Sequence, residues 1–364
     1  MEQVFRHRKG LQTVLRRIRE GSLTVGYIGG SITDARPRHN WPGPVSSWLV
    51  ETFPGLRVTV ENVGIGATGS DLAVFRAKRD LIDRGCDLVF VEFAVNDFGE
   101  PSDKRMRSRE GLVRKLLADG TRDVVFVYTY MQNMYEDMIA GRTPDSIAEF
   151  EQLADHYGIG SVWMGQYALE EVKRGRMRWD EWLPDGLHPA TRGSLSYAQS
   201  VTAFLEKELI TSPSEGEIAK GDRMPEPLVA DHWQNATVLP LQQIEFEGPW
   251  LLNRWTHDGF IDQVLETAAP GAKLSFSFQG RGVALGFDFG KRSGEFRYRI
   301  DEGEWQTVAR ERFYWVGDSG WYRLSVLTEN LDPGDHRFEL ETIHGNTELC
   351  TGTDCKLAIV GIIR

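Results

Sequence analysis

The stretch Leu-Thr-Val-Gly-Tyr-Ile-Gly-Gly-Ser-Ile-Thr, residues 23–33, decides how the first half of the chain folds. Its apolar beginning, residues 23–28, is typical of a buried β-strand, and the small residues from Gly29 onward predict a sharp corner at the strand end. Such a corner lets the Ser31 hydroxyl stand clear of the backbone, beside the unpaired N–H groups of the segment that follows. A serine that caps a helix would have the same local sequence, so the corner alone assigns no function.

Short apolar runs alternate with helical stretches on either side of this corner. Strands are predicted at residues 23–28, 57–61, 87–93, 124–130 and 160–164. Helices are predicted at residues 45–52, 70–84, 108–119, 145–157 and 191–209, and residues 1–20 have the periodicity of an amphipathic helix with a solvated basic face. Regular β–α alternation indicates a parallel sheet that helices cover on both faces.

The pattern changes in the second half of the chain. Residues 212–235 contain several prolines and glycines and lack periodicity, which is typical of a linker. Residues 236–364 consist of short alternating segments separated by glycine-rich turns, which predict an antiparallel β-sandwich of the jelly-roll type. We therefore expect an α/β domain at 1–211, a linker at 212–235 and a β-sandwich domain at 236–364.

Composition excludes several classes of protein. The 53 acidic and 42 basic residues among 364 give a net charge of -11, which would repel a nucleic-acid backbone. No apolar run is long enough for a membrane span and no secretory apolar core begins the chain, so a cytoplasmic protein without membrane contacts is expected. Three cysteines suit neither a disulfide framework nor a zinc site, and no metal or cofactor is expected.

Two further polar motifs follow predicted strands. Asn96, in the string Ala-Val-Asn-Asp at 94–97, comes directly after the strand at 87–93, where a side-chain amide can donate to a developing oxyanion. Asp185 precedes His188 by three residues, a spacing at which a carboxylate can orient an imidazole. A loop-capping asparagine and an ordinary turn at Asp-Gly and His-Pro are the alternatives.

A glycine string supports a competing hypothesis. Residues 64–69 match G-x-G-x-x-G between a strand and a helix, and Glu92 ends the next strand, where a ribose-binding acid would be expected. However, the match falls on the second predicted strand, whereas a dinucleotide fingerprint normally opens the first. A serine-hydrolase-like string at 317–320 has no helix after it, and it is interpreted as a turn.

The serine corner, the glycine string, the Asn96 string and the Asp185–His188 pair, in this chain order, resemble the SGNH hydrolases, the GDSL-type esterase family. The serine, glycine, asparagine and histidine blocks of that family are matched at 30–32, 64–69, 95–97 and 185–188, and the resemblance covers about residues 20–210. Gly-Gly-Ser replaces the Gly-Asp-Ser for which the family is named, which leaves the nucleophile intact. Ala67 stands where the family usually has glycine, so either Gly66 or Ala67 would supply a backbone N–H.

The resemblance implies a flavodoxin-like α/β/α domain with strand order 2-1-3-4-5, and a Ser-His-Asp acyl-enzyme mechanism without a cofactor. Ser31 would attack an ester carbonyl, His188 would take its proton and Asp185 would hold the ring. The implied oxyanion hole consists of the Ser31 N–H, the N–H of Gly66 or Ala67, and the Asn96 amide.

The tryptophans direct the substrate prediction toward carbohydrates. Trp41, Trp179 and Trp182 lie near the site in sequence and could stack on sugar rings, although core packing would explain them equally. The second domain resembles the jelly-roll modules of carbohydrate-active enzymes, and its tryptophans at 250, 255, 305, 315 and 321 either bind glycan or pack its core.

The predicted function is hydrolysis of O-acetyl or other short acyl esters on imported oligosaccharides. An acyltransferase using the same triad, a dinucleotide-dependent oxidoreductase and a noncatalytic glycan-binding protein are the alternatives. The predicted partner is a small-molecule or oligosaccharide ester, and homo-oligomerisation is left open.

Overall fold

The computed structural model describes residues 4–34, 40–211, 213, 224–254, 261–308, 315–316, 318, 320–346, 348 and 350–364; for residues 288 and 289 it describes the backbone only. The chain divides into two compact units, Met1–Gln234 and Asn235–Arg364. Each unit is described by itself. None of the described helices is both long and apolar enough to cross a membrane.

The first unit alternates strands and helices. Its strands are β1 (Phe5–Arg6), β2 (Ser22–Gly29), β3 (Arg57–Asn62), β4 (Leu88–Glu92), β5 (Asp123–Val127) and β6 (Gly160–Val162). Its helices are α1 (Gln12–Glu20), α2 (Pro42–Thr52), α3 (Ser70–Ala77), α4 (Ser102–Leu117), α5 (Tyr135–Ile139), α6 (Asp145–Tyr157), α7 (Met164–Lys173), α8 (Trp179–Trp182) and α9 (Thr191–Glu206). Single π-helical segments, Lys78–Ile82 and Lys207–Thr211, extend α3 and α9, and a 3₁₀ turn, Gln132–Met134, precedes α5.

The sheet order is β1-β6-β5-β4-β2-β3. Strands β2 to β6 pair in parallel, while β1 is an antiparallel edge strand on β6. The five predicted strands thus have the predicted order 2-1-3-4-5, and the α/β prediction is confirmed. The predicted helix at 1–20 starts only at Gln12, because Phe5–Arg6 joins the sheet and Gly10 follows with a left-handed φ of 76°.

Burial explains why the central strands are continuous apolar runs. All five residues of β4 are buried, as expected for a strand that helices cover on both faces. The carboxyl ends of parallel strands share one edge of a sheet, and β2, β3 and β4 are neighbours. Their following loops, 30–34, 63–69 and 93–97, therefore meet at that edge.

The first unit extends into the segment that was predicted to be a linker. The Leu228 and Val229 N–H groups donate to Glu110 of α4 at 2.6 and 2.7 Å. Trp233 is fully buried, and a Cβ added to Gly111 would lie 2.6 Å from its backbone carbonyl carbon. Residues 224–234 consequently pack against α4, because their buried tryptophan and satisfied N–H groups outweigh a composition that is typical of linkers.

The second unit consists of two antiparallel sheets. Its strands are β7 (Thr237–Leu239), β8 (Glu245–Glu247), β9 (Leu251–Asn253), β10 (Val264–Thr267), β11 (Lys273–Gly280), β12 (Gly282–Phe289), β13 (Glu295–Ile300), β14 (Gln306–Val308), β15 (Trp321–Thr328), β16 (Gly334–Ile343) and β17 (Cys355–Ile363). One sheet has the order β15-β12-β17-β10-β9, with β7 also on β17, and the other has the order β14-β13-β16-β11-β8.

The core of the second unit follows the two-residue period of its strands. On β11, the buried residues Leu274, Phe276 and Phe278 alternate with residues that are more exposed. Trp250 is buried, whereas Trp305 is half-buried beneath the guanidinium groups of β13, so these tryptophans have packing roles. The predicted β-sandwich is confirmed, and Trp255 lies outside the described residues.

Candidate active site

Ser31, His188 and Asp185 form one chain of hydrogen bonds. Ser31 Oγ lies 2.8 Å from His188 Nε2, and His188 Nδ1 lies 2.8 Å from Asp185 Oδ2. Ser31 follows β2, while the acid and the imidazole lie in the loop between α8 and α9, with His188 157 residues beyond the serine. The side chains of His188 and Asp185 are 31% and 54% exposed, so a substrate can reach this arrangement from solvent.

The Asp185 carboxylate is held by its own turn. Oδ1 accepts the backbone N–H groups of Leu187 and His188 at 2.9 and 2.6 Å, which leaves Oδ2 for the ring. Gly186 has a φ of 78°, a left-handed value that favours glycine at this turn. Desolvation raises the pKa of Asp185, but these hydrogen bonds outweigh it and hold the pKa below its usual value. An ionised Asp185 favours the tautomer with the proton on Nδ1, so that Nε2 can accept the Ser31 proton.

Asn96 lies directly against the turn that carries the serine. A Cβ added to Gly30 would be 1.9 Å from Asn96 Oδ1, so the amide reaches Ser31's neighbour only because residue 30 has no side chain. Gly66 is buried, and Ala67 is half-buried with a left-handed φ of 56°. The structure brings the predicted oxyanion donors to one edge of the sheet, and their catalytic roles stay predictions.

The glycine string packs against the protein's own backbone. A Cβ on Gly64 would lie 2.7 Å from the backbone nitrogen of Asp34, and the Ile65 N–H donates to the Gly29 carbonyl at 3.0 Å. Asn62 fastens the same loop, since its amide donates to the Thr33 carbonyl at 2.8 Å. The glycines therefore permit contact between loops, and the competing dinucleotide hypothesis loses the feature that supported it.

Glu92 has a role that the sequence analysis missed. It is fully buried and accepts hydrogen bonds from the hydroxyls of Thr33 at 3.1 Å and Thr129 at 2.7 Å, with the Gly30 N–H as a further donor. Burial raises the pKa of Glu92 to about 7. The sequence feature that could have indicated this role is an acidic residue at the end of an otherwise apolar buried strand. Its position beneath the serine turn also contradicts exposure to a ribose.

Two of the three predicted sugar-stacking tryptophans belong to the core. Trp41 is fully buried, packs edge-on against Tyr27 at 5.2 Å and donates from Nε1 to Thr33 Oγ1 at 3.2 Å. Trp182 is also fully buried, with its ring 4.7 Å from that of Tyr130. Rings without exposed faces cannot stack on a sugar, so the prediction is wrong for both residues.

Trp179 is the predicted tryptophan that remains open to solvent. Its side chain is 37% exposed, and its ring stacks on Trp182 at 5.1 Å and lies edge-on to Tyr135 at 5.7 Å. It precedes Asp185 by six positions. The Gln132 N–H donates to the Gly186 carbonyl at 3.0 Å, which connects the loop before Tyr135 to the histidine loop.

Two other predictions concern the string at 317–320 and metal binding. Residues 317 and 319 of that string lie outside the described residues. Within the part of the chain that the structure describes, no group of three histidine, cysteine, aspartate or glutamate side chains could hold a metal ion.

A protein family model matches part of the chain. Residues 27–194 match the model of the GDSL-like lipase/acylhydrolase family. No curated protein sequence matches the chain significantly.

Some solved structures share the fold over the full length of this chain. A two-domain esterase active on acetylated mannans is 22% identical, with a TM-score of 0.83 over 100% of this chain and 98% of that one. The same kind of esterase co-crystallised with mannopentaose gives 22% identity and a TM-score of 0.81, over 100% and 97% of the two chains. An acetylxylan esterase from Geobacillus stearothermophilus is 20% identical and covers 50% of this chain and 94% of its own, with a TM-score of 0.40.

Removal of any triad member is expected to abolish most hydrolysis. Ser31→Ala and His188→Ala should each lower kcat on a small acetyl ester by about 10⁴-fold or more, with a smaller loss for Asp185→Asn. The losses should not add in the double variants, because the three side chains act as one unit. Steady-state kinetics on the folded variants measures this, and near-normal hydrolysis by Ser31→Ala would refute the assignment.

Glu92 should make stability depend on pH. Its pKa is about 7 in the folded protein, above the ordinary value of a glutamate, so the unfolded state loses this proton first. The contribution to the free energy of unfolding is therefore present at low pH and is lost as pH rises from about 4.5 to 7. Urea unfolding of wild type and Glu92→Gln between pH 4.5 and 8 measures it. The slope should be smaller in the variant by the contribution of Glu92, and identical slopes in the two proteins would contradict the prediction.

Proposed function

We propose that this chain, whose residues 27–194 match the model of the GDSL-like lipase/acylhydrolase family, is a serine esterase that removes acetyl and other short acyl groups from carbohydrates. The observation that carries the proposal is the hydrogen-bonded chain from Ser31 through His188 to Asp185. It supplies a nucleophile, a base and a group that orients the base. Acyl transfer to water requires nothing more from the side chains than these three groups and an oxyanion hole.

In the first half of the reaction, Ser31 Oγ attacks the ester carbonyl carbon and its proton passes to His188 Nε2. The charge that forms on the imidazole is stabilised by the ionised Asp185, 2.8 Å from Nδ1. The tetrahedral intermediate then collapses. The bond to the sugar oxygen breaks, His188 returns its proton to that oxygen, and an acyl-serine is left.

The oxyanion of the intermediate is stabilised by donors from the three loops at the sheet edge. The Ser31 N–H belongs to the first loop, the N–H of Gly66 or Ala67 to the second and the Asn96 amide to the third. Each donor of this kind typically contributes about 10²–10³ in turnover. Their value depends on position, because a donor that is displaced by about an ångström stabilises the transition state much less.

In the second half, water attacks the acyl-serine. His188 accepts a proton from the water and then donates it to Ser31 Oγ as the acyl-oxygen bond breaks. Acetic acid leaves and ionises in solvent to acetate and a proton, and the resting state is restored. Water is the only co-reactant of the ester.

Several observations favour acetylated carbohydrates as the substrate class. The solved structures with the same full-length fold include an esterase active on acetylated mannans. The net charge of -11 disfavours polyanionic substrates and is compatible with neutral sugars. The His188 and Asp185 side chains are partly exposed, which is compatible with an ester on a bulky alcohol. An intracellular location, and with it an imported substrate, stays a prediction.

A panel of acetylated oligosaccharides tests the proposed function. Purified protein should release acetate from acetylated manno- or xylo-oligosaccharides and from short aryl esters, and Ser31→Ala should release none above background. Acetate is measured directly, which separates hydrolysis from transfer to another sugar. Refusal of all acetyl esters, together with turnover of long-chain esters, would overturn the proposal.

Trp179 is the residue through which we expect a sugar ring to bind. Its exposed indole is backed by the buried Trp182 and flanked by Tyr135, so its orientation is fixed before a ligand arrives. A preorganised aromatic face loses little conformational entropy on binding.

Trp179→Ala should raise KM for an acetylated oligosaccharide by about 3- to 10-fold, while KM for a small aryl acetate stays unchanged. Trp48→Ala is the matched control, because Trp48 is a half-buried tryptophan on α2 that packs against Phe53 at 6.2 Å. Equal effects of Trp179→Ala on both substrates would contradict a role in sugar binding.

A further inference from the structure

A buried carboxylate joins the two loops that follow β3 and β4. Asp97 comes directly after Asn96 and is 2% exposed. Its Oδ1 accepts the backbone N–H of Ser70 at 2.9 Å, and Ser70 is the first residue of α3, immediately after the glycine loop 64–69. One side chain therefore connects the turn that carries the Asn96 amide to the loop that carries Gly66 and Ala67.

The other carboxylate oxygen is fixed by a fully buried arginine. Arg109 Nε donates to Asp97 Oδ2 at 2.8 Å, and its terminal nitrogens donate to the carbonyl and hydroxyl of Ser146 at 2.9 and 2.8 Å. The Ser146 hydroxyl in turn donates to the Ala94 carbonyl at 2.6 Å. Arg109 thus holds both ends of the 94–97 turn, directly at Asp97 and through Ser146 at Ala94.

The approach of the two loops requires a glycine at position 69. A Cβ added there would lie 2.5 Å from Asp97 Oδ1, closer than such contacts are found. The backbone of Gly69 has a φ of -103°, which any residue can adopt, so space and not conformation selects glycine. A buried charge pair of this kind often adds little net stability, and fixing a geometry is one role that such pairs have in other proteins.

We propose that Asp97 is a positioning residue for the oxyanion hole. It sets the separation between the Asn96 amide and the N–H groups of the glycine loop, and Arg109 keeps it in place. Asp97 does not contact the reacting atoms and acts through the two loops. The inference rests on the proposed function, since it concerns the same oxyanion.

Two substitutions disturb the contact from opposite sides. Asp97→Asn removes the charge that Arg109 binds, and Gly69→Ala pushes a methyl group toward Asp97 Oδ1. Each should lower kcat on an aryl acetate by about 10- to 100-fold and leave KM within about twofold, because positioning affects the transition state more than the bound substrate. The affinity for a small boronic acid, whose tetrahedral adduct with Ser31 places an oxygen in the oxyanion hole, should fall in parallel with kcat.

Asp123→Asn is the control for loss of a hydrogen-bonded carboxylate away from the site. Asp123 is half-buried at the start of β5, at the amino end of the parallel strands, and its Oδ2 accepts the Val14 N–H of α1 at 2.9 Å. Its replacement should lower the melting temperature without changing kcat or boronate affinity. If Asp97→Asn does not fold, as judged by circular dichroism, Gly69→Ala decides the question alone.

A double-variant cycle identifies the route of the effect. Because Asp97 acts partly through Asn96, Asp97→Asn should lower kcat less in an Asn96→Ala background than in wild type. Unchanged kcat in folded Asp97→Asn and Gly69→Ala, or full multiplication of the two losses, overturns the positioning role. If either result is obtained while the Ser31→Ala variant is inactive, the proposed function stays intact. Hydrolysis by Ser31→Ala would overturn the proposed function itself.

Discussion

The candidate site depends on how closely three backbone loops approach each other at one edge of the parallel sheet. Asn96 occupies the space where a side chain of residue 30 would be, and the backbone of Asp34 occupies the corresponding space at Gly64. Parallel strands bring loop ends to the same edge, but only residues without a Cβ let those loops touch. The contacts between these three loops therefore depend on a steric condition that is satisfied before any substrate binds.

The site combines an exposed reactive layer with a buried supporting layer. The His188 and Asp185 side chains are partly open to solvent, whereas Glu92, Asp97 and Arg109 beneath the loops are almost completely buried. Buried charged groups are unfavourable unless each is paired or hydrogen-bonded, and here each has named partners in a neighbouring loop or helix. Such a layer restricts the loops to one arrangement, which electrostatic stabilisation of a transition state requires.

Local patterns made much of this architecture predictable. Strand order followed from β–α alternation together with the family resemblance, and the Asp185–His188 pair from a three-residue spacing. The support from Glu92 and Arg109 was not predictable, because it joins positions that are far apart in sequence and only the fold shows their partners. The prediction that Trp41 stacks on a sugar was wrong for a different reason. Its ring faces the core, and the sequence near a motif does not indicate in which direction a tryptophan side chain points. The predicted linker included residues 224–234, which pack against α4, because the proline and glycine content of the segment gives no indication that Trp233 is buried.

The turn that holds Asp185 has a consequence for how such sites change over evolutionary time. Asp185 binds the N–H groups of Leu187 and His188 as well as the His188 ring, so the hydrogen bonds of the acid–base pair form within four consecutive residues. In the preceding helix α8, Trp182 belongs to the core, whereas Trp179 is 37% exposed and makes none of the hydrogen bonds that hold the pair. Under the proposed function, selection could therefore change the exposed side chain at position 179 while the Asp185–His188 pair is inherited unchanged.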